Sequence, residues 1–119
     1  MEFRNKYDHT LDSKKRLFIP AKYRDELGHN FVVCVSLRNK CLTVFSSEEW
    51  EKYIEPYNQL ERSKAEKLFR YLNVNSIEAD PDSQGRILLS DGLIKYAGIT
   101  RDVVIAGCGK YAEIWAAEK

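Results

Sequence analysis

The chain has no apolar run that approaches the length of a membrane helix. A helix that crosses a bilayer needs about 18 or more consecutive apolar residues, and charged or polar residues interrupt every apolar stretch of this 119-residue sequence well before that length. The first residues also lack the apolar segment of a secretory signal peptide. These absences predict a cytoplasmic protein without a membrane partner.

Residues that usually carry catalysis or bind metal are scarce. The two histidines, His9 and His29, have no second ligand nearby in sequence, and the three cysteines, Cys34, Cys41 and Cys108, lack the paired spacings of a zinc site. The chain also has no glycine-rich phosphate loop and no nucleophile–histidine pair with a supporting acid. We therefore expect no metal, no cofactor and no small-molecule substrate, and we predict that the protein is not an enzyme.

The net charge of +1 is too small for a protein that binds nucleic acid through one broad basic face. The charge is uneven, however, because residues 1–24 contain seven lysines and arginines against three acidic residues. Composition alone leaves two interpretations open. The segment is either an ordinary solvated face or a basic surface that contacts a partner.

An internal repeat organises the chain. The segment Asp12-Ser-Lys-Lys-Arg16 returns 70 residues later as Asp82-Ser-Gln-Gly-Arg86, and an apolar triplet follows each copy. The similarity ends with segments 40–47 and 110–117. We predict one domain over residues 1–119, with repeat 1 at 5–47, a helical connector at 48–75 and repeat 2 at 76–119. Each repeat alone is too small to bury a sufficient core, so the two must share one, with each other or with other subunits.

Each repeat is predicted to run strand, turn, strand, helix, strand, strand. β-Branched and aromatic residues predict strands at 7–11, 16–19, 31–35 and 42–45 in repeat 1, and at 86–89, 103–106 and 112–115 in repeat 2. Helices are predicted at 21–27, which starts after Pro20 and ends at Gly28, and at 91–97, with Ser90 as N-cap and Gly98 after it. Cys34 falls inside a strand, where we expect a small buried hydrophobe.

The connector has the pattern of two amphipathic helices. Capping boxes at Ser46-x-x-Glu49 and Ser63-x-x-Glu66 predict their starts, and Pro56 is expected to break or kink the first helix. Aromatic and aliphatic residues follow each start at helical spacing. This pattern favours a helical hairpin that packs on the rest of the fold over one that reads DNA.

The two Asp-x-x-x-Arg loops are the one constellation that suggests a function. Asp at the first position of a turn can accept hydrogen bonds from backbone N–H groups two or three residues later, which fixes the loop. The structural interpretation is that each Asp simply holds its turn and pairs with the Arg. The functional interpretation is that a rigid loop presents the Arg fork to a phosphate or to guanine O6 and N7. The two interpretations are compatible.

The sequence resembles the MraZ family of bacterial transcriptional regulators, which is associated with the division and cell-wall gene cluster. The resemblance rests on YDHTLDSKKRLFIPAKYR at residues 7–24, SEEW at 47–50, DSQGRIL at 82–88, VVIAG at 103–107 and EIW at 113–115. It covers almost the whole chain. The motifs are weak singly and specific in this order.

The resemblance implies an α+β, mainly β, fold: a double-repeat AbrB-like swapped-hairpin barrel with a helical hairpin between the repeats. It implies a cytoplasmic, nucleoid-associated regulator that assembles into a homo-oligomeric ring and binds short direct repeats of double-stranded DNA. The family's DNA-binding positions fall on Lys14, Lys15, Arg16, Gln84 and Arg86, and its loop-organising positions on Asp12 and Asp82. The alternative is an AbrB-fold protein-interaction or antitoxin-like module.

The two loops differ in one respect that bears on function. Lys15 stands where the family usually has glycine, as Gly85 does in the second copy, and a position with positive φ tolerates lysine poorly. We therefore expect the first loop to be reshaped or strained. We also expect it to be the primary DNA contact, because it is basic whereas the second loop follows the acidic segment 78–82.

Overall fold

Eight strands in residues 2–118 of the computed structural model form a six-stranded antiparallel sheet and a separate two-stranded ribbon. Met1 and Lys119, the ends of the predicted 1–119 domain, lie outside the described residues. The strands are β1 (Lys6–Thr10), β2 (Arg16–Phe18), β3 (Phe31–Val35), β4 (Leu42–Phe45), β5 (Ser76–Ala79), β6 (Arg86–Leu88), β7 (Asp102–Gly107) and β8 (Ala112–Ala116). The helices are α1 (Ala21–Leu27), α2 (Ser47–Ile54), α3 (Arg62–Val74) and α4 (Asp91–Ala97).

The predicted strands and the two short helices are confirmed to within one residue at each end, but the strand partners cross between the repeats. The order of the large sheet is β1-β7-β8-β4-β3-β5. Strand β1 of repeat 1 therefore pairs with β7 of repeat 2, and β5 of repeat 2 pairs with β3 of repeat 1. The turn after β1 does lead into β2, yet only a single bridge between Leu11 and Leu17 links these two arms.

Strand β2 pairs with β6, so the segment after each Asp–Arg loop meets its counterpart from the other repeat. The register places Arg16 opposite Leu88, Leu17 opposite Ile87, and Phe18 opposite Arg86. Leu17 and Ile87 are buried in the core. Because side chains alternate across a strand, the other four side chains share the outer face of the ribbon.

The large sheet stays open within the described part of the chain, because β1 and β5 are its two edges. A closed barrel is therefore not formed by residues 2–118. The coarser prediction holds, since the fold is mixed α and β with most strands in one sheet.

Both repeats contribute to one core. Side chains from β2, β3, β6, β7 and β8 join a single buried cluster, which includes Leu17, Phe31, Ile87, Ile105 and Ile114. Cys34 is fully buried in it, as predicted, and its thiol lies 3.7 Å from the carbonyl oxygen of Leu72 on α3. Burial raises the pKa of this thiol to about 12, which suits a packing role.

Two of the three predicted serine N-caps are confirmed and one is wrong. The hydroxyl of Ser90 accepts from the backbone N–H of Leu93, and that of Ser46 accepts from Glu49. Ser63, by contrast, lies inside α3, which begins at Arg62. Its hydroxyl donates to the carboxylate of Glu61 at 3.2 Å, so it does not cap the helix.

The connector packs on the sheet, as its aromatic pattern predicted. Helix α2 ends at Ile54, and Pro56 lies in the following 3₁₀ turn, Glu55–Gln59. The ring of Tyr53 stacks on Phe45 of β4 with centroids 4.5 Å apart. None of the helices in residues 2–118 is both long and apolar enough to span a bilayer.

Candidate functional site

The first Asp–Arg loop is held by the carboxylate of Asp12. One oxygen, Oδ1, accepts from the backbone N–H groups of Lys14 and Arg16, each at 2.9 Å. The other oxygen, Oδ2, accepts from Nε of Arg16 at 2.8 Å. The turn also closes on its backbone, where the N–H of Lys15 donates to the carbonyl of Asp12 at 3.0 Å. One side chain thus fixes both the loop and the orientation of its arginine.

The second loop repeats this arrangement. Oδ1 of Asp82 accepts from the backbone N–H groups of Gln84 at 2.9 Å and Arg86 at 3.0 Å. Oδ2 accepts from Nε of Arg86 at 3.0 Å, and the N–H of Gly85 donates to the carbonyl of Asp82 at 2.9 Å. The two loops therefore have the same internal hydrogen bonds.

Reciprocal hydrogen bonds bring the loops together. The carbonyl of Lys15 accepts from the N–H of Leu89, and the carbonyl of Gly85 accepts from the N–H of Ile19, both at 2.9 Å. Across the ribbon, Nη1 of Arg86 lies 4.0 Å from Oδ2 of Asp12. Arg16 and Arg86 are diagonal neighbours on one face, a position in which side chains on paired strands are within reach of each other.

Both loop carboxylates are held in the ionised form. The backbone N–H of Arg16 is the largest cause that lowers the pKa of Asp12, and that of Arg86 does the same for Asp82. Each carboxylate occupies the Nε edge of its arginine. The Nη edge has no hydrogen-bond partner among residues 2–118, although Nη1 of Arg86 also forms the 4.0 Å ion pair with Asp12. The arginine side chains are 31% and 26% exposed. A guanidinium held in this way can bind an anion or a base edge with the free side of its fork.

Lys15 adopts the strained backbone that its position requires. Its φ is +63°, close to the +82° of Gly85, so the first loop is strained. Of the two expected outcomes, strain rather than reshaping is observed, because the hydrogen bonds of the first loop match those of the second. The ammonium of Lys15 contacts the carboxylate of Asp91, and the side chains of Lys14 and Gln84 are exposed.

Arg24 on α1 is a site residue that the sequence reasoning missed. Its guanidinium lies over the ring of Phe18, with Cζ 5.3 Å from the ring centroid, and its Nε is buried without a partner among the described residues. A Cβ at position 85 would lie 2.8 Å from Cζ and from Nη1 of Arg24, so glycine lets the second loop pack on this side chain. The repeats differ at both positions of this contact: Lys15 and Arg24 in repeat 1 correspond to Gly85 and Ile94 in repeat 2. This double difference is the sequence signal that could have indicated the contact between Arg24 and Gly85.

The histidines have ordinary local contacts. The ring of His9 packs on Phe18 at 5.2 Å, and Nδ1 of His29 lies 3.0 Å from Asp80. Across the part of the chain that the structure describes, no three His, Cys, Asp or Glu residues form a group suited to a metal ion.

Comparison with known proteins covers nearly the whole chain. A family model described as "MraZ protein, putative antitoxin-like" matches residues 3–70 and 74–119. A protein of Lachnoclostridium phytofermentans, named transcriptional regulator MraZ, is 39% identical over 118 residues, which cover 98% of this chain and 83% of that protein.

Two further relatives carry the same name. The protein of Mycoplasma mobile is 43% identical over 95% of this chain and 78% of its own length. The protein of Leuconostoc mesenteroides is 41% identical over 98% of this chain and 82% of its own length. The similarity thus includes both loops, both repeats and the connector between them.

Proposed function

The chain belongs to the MraZ family, and we propose that it is a sequence-specific DNA-binding transcriptional regulator. One observation carries the assignment of the binding surface. Arg16 and Arg86 lie on one face of the β2–β6 ribbon, and each is oriented by its own aspartate. A two-stranded ribbon has dimensions that fit the major groove of B-DNA.

The chemistry of the loops suits DNA better than it suits a neutral ligand. The Nη edge of Arg16 can donate two hydrogen bonds to guanine O6 and N7 or to a phosphate. The Nη edge of Arg86 can do the same if its 4.0 Å ion pair with Asp12 gives way. Lys14 and Lys15 would add phosphate contacts beside Arg16, and Gln84 would add a polar contact beside Arg86. Asp12 and Asp82 would organise the loops without contacting DNA. We propose that the first loop makes the larger contribution, because it has the two lysines.

Assembly of several subunits would allow a chain with a net charge of only +1 to bind DNA strongly. We propose a homo-oligomeric ring whose subunits engage short direct repeats together, so that effective concentration multiplies weak single contacts. The regulated genes would be those of the division and cell-wall cluster. The exchange of strands between the repeats supports an AbrB-like swapped-hairpin architecture, with repeat 1 at 5–47, connector 48–75 and repeat 2 at 76–119. We place the protein in the cytoplasm, associated with the nucleoid, and assign it no enzymatic activity.

The experiment is a binding assay on duplex DNA from the region upstream of this chain's own coding sequence. Arg16→Ala should weaken binding by about 5- to 150-fold, because a bidentate Arg–guanine contact contributes about 1–3 kcal/mol. Arg86→Ala should weaken it less. Arg62→Ala is the matched control, since it removes the same charge from an exposed site on α3. Unchanged affinity of a folded Arg16→Ala protein would refute the assignment.

The second candidate is a protein-interaction module of the antitoxin-like kind. Two observations favour it: the description of the matching family model, and the open edges β1 and β5, which could pair with strands of another protein. The dependence of binding affinity on salt concentration distinguishes DNA binding from protein binding. DNA binding should fall linearly on a log–log plot of affinity against salt, whereas strand addition through backbone hydrogen bonds should respond weakly.

A further inference from the structure

Leu88 is an exposed apolar residue among the cations of the ribbon. It is 65% exposed, whereas Ile87 and Leu89 beside it are buried. Its register partner on the same face is Arg16, and directly opposite side chains of paired strands have their Cβ atoms about 4.5–5.5 Å apart. The other exposed large apolar residues of the described chain lie elsewhere, in α3 or in turns: Leu37, Leu60, Tyr71 and Val74.

In repeat 1 the equivalent apolar position is covered by other side chains of the protein. The counterpart of Leu88 in repeat 1 is Phe18, at the other end of the ribbon. The ring of Phe18 is covered by His9, 5.2 Å away, and by Arg24, 5.3 Å from its centroid. Leu88 is instead 65% exposed, so one of the two equivalent apolar positions is left open to solvent.

We propose that Leu88 is a specificity-determining residue that contacts the 5-methyl group of thymine beside a base read by Arg16. This inference rests on the proposed DNA-binding function. In the major groove the thymine methyl is the one apolar group among polar base edges, and proteins recognise it by apolar contact. The oriented arginine can donate hydrogen bonds to a guanine, and the leucine beside it can make apolar contact with the methyl group of a neighbouring thymine.

Charge complementarity favours DNA over a second protein as the occupant. An apolar protein surface on Leu88 would also remove water from Arg16 and Lys15, whose ion pairs with Asp12 and Asp91 satisfy only part of each cation. Burial of an incompletely satisfied charge is unfavourable. DNA supplies the methyl group together with phosphates and guanine acceptors that satisfy those cations.

The test compares two versions of one duplex, the upstream region of the coding sequence made with thymine or with uracil throughout, which differ only in the 5-methyl groups. Wild-type protein should bind the thymine duplex at least about four-fold more tightly, the equivalent of ~0.8 kcal/mol for one buried methyl group. Leu88→Ala should bind the thymine duplex about four-fold more weakly than wild type and lose the preference. Leu88→Met should keep it, because methionine is apolar and long enough to reach the methyl group, whereas the alanine side chain is too short.

Val74→Ala is the matched control, because Val74 is 74% exposed and lies on α3. It should keep the wild-type preference for thymine. Equal loss on uracil DNA by wild type and Leu88→Ala would overturn the proposal. So would a Leu88→Ala protein that changes its oligomeric mass but keeps the thymine preference, since a second copy would then cover Leu88. Failure of wild type to bind the thymine duplex would instead refute the proposed function itself.

Discussion

Gly85→Ala tests how α1 supports the second Asp–Arg loop. Alanine would have to adopt the φ of +82°, and a left-handed backbone costs a non-glycine residue about 1–2 kcal/mol. The new methyl would also displace the guanidinium of Arg24. That group ends a flexible side chain, so it should move away and lose its contact with the ring of Phe18, which is worth ~0.5–1 kcal/mol. We therefore expect the free energy of unfolding to fall by about 1.5–3 kcal/mol.

Lys15→Ala is the matched substitution in the first loop. Residue 15 already has a positive φ, so alanine adds no backbone strain there. The change removes only an ion pair with Asp91 in which both side chains are exposed, and such pairs contribute about 0.2–1 kcal/mol. Alanine should therefore lower the free energy of unfolding by about 0.5–3 kcal/mol more at position 85 than at the equivalent position 15.

Urea unfolding followed by the fluorescence of Trp50 and Trp115 would measure both variants. Protein concentration must be the same throughout, because association shifts apparent stability. The double variant Arg24→Ala/Gly85→Ala should cost less than the sum of its single changes, with a coupling energy of ~0.5–1 kcal/mol. Strict additivity, or a Gly85→Ala protein within ~0.5 kcal/mol of wild type, would refute the reasoning.

Two further predictions concern the loop carboxylates and the connector. The pKa values of Asp12 and Asp82 are lowered in the fold, so their contribution to stability is present above the ordinary aspartate value of 3.8 and is lost as the pH falls through their folded values. Asp12→Asn/Asp82→Asn should therefore flatten the acid limb of a plot of unfolding free energy against pH, and an unchanged limb would contradict this origin. Leu72→Ala should cost about 2–5 kcal/mol, because Leu72 of α3 is fully buried in the shared core. Leu60→Ala, at a side chain that is 42% exposed, should cost less than ~0.5 kcal/mol in the same urea titration.

Local sequence signals predicted most elements of the fold. Ser90 and Gly98 bound α4 as expected, because capping depends on hydrogen bonds within one turn. The same kind of local signal predicted the start of α3 at the wrong residue. Ser63 has the right spacing for a capping box, but the helix begins earlier and the Ser63 hydroxyl bonds to Glu61 instead.

The pairing of strands could not be predicted from local sequence signals, because the paired strands lie far apart in the chain. The predicted strands 7–11 and 16–19 look like the arms of one hairpin, since a turn signal separates them. Each arm instead pairs with a strand far away in the chain, because burial of Leu17 against Ile87 needs both repeats at once. The arginine–aspartate geometry could be anticipated from spacing, whereas Arg24 and the exposure of Leu88 depend on how the two repeats meet.

The crossing of strands between repeats makes the order of synthesis matter. Thr10 pairs with Asp102, so β1 has no partner in the sheet until β7 has been translated. At about 5–20 residues per second, the delay is roughly 5–20 s. During that time β1 is an unpaired edge, the kind of segment that pairs with other chains. Strand β7 thus completes a pairing with a strand that was synthesised much earlier, and until then the exposed edge of β1 can pair with β7 of another copy of the chain.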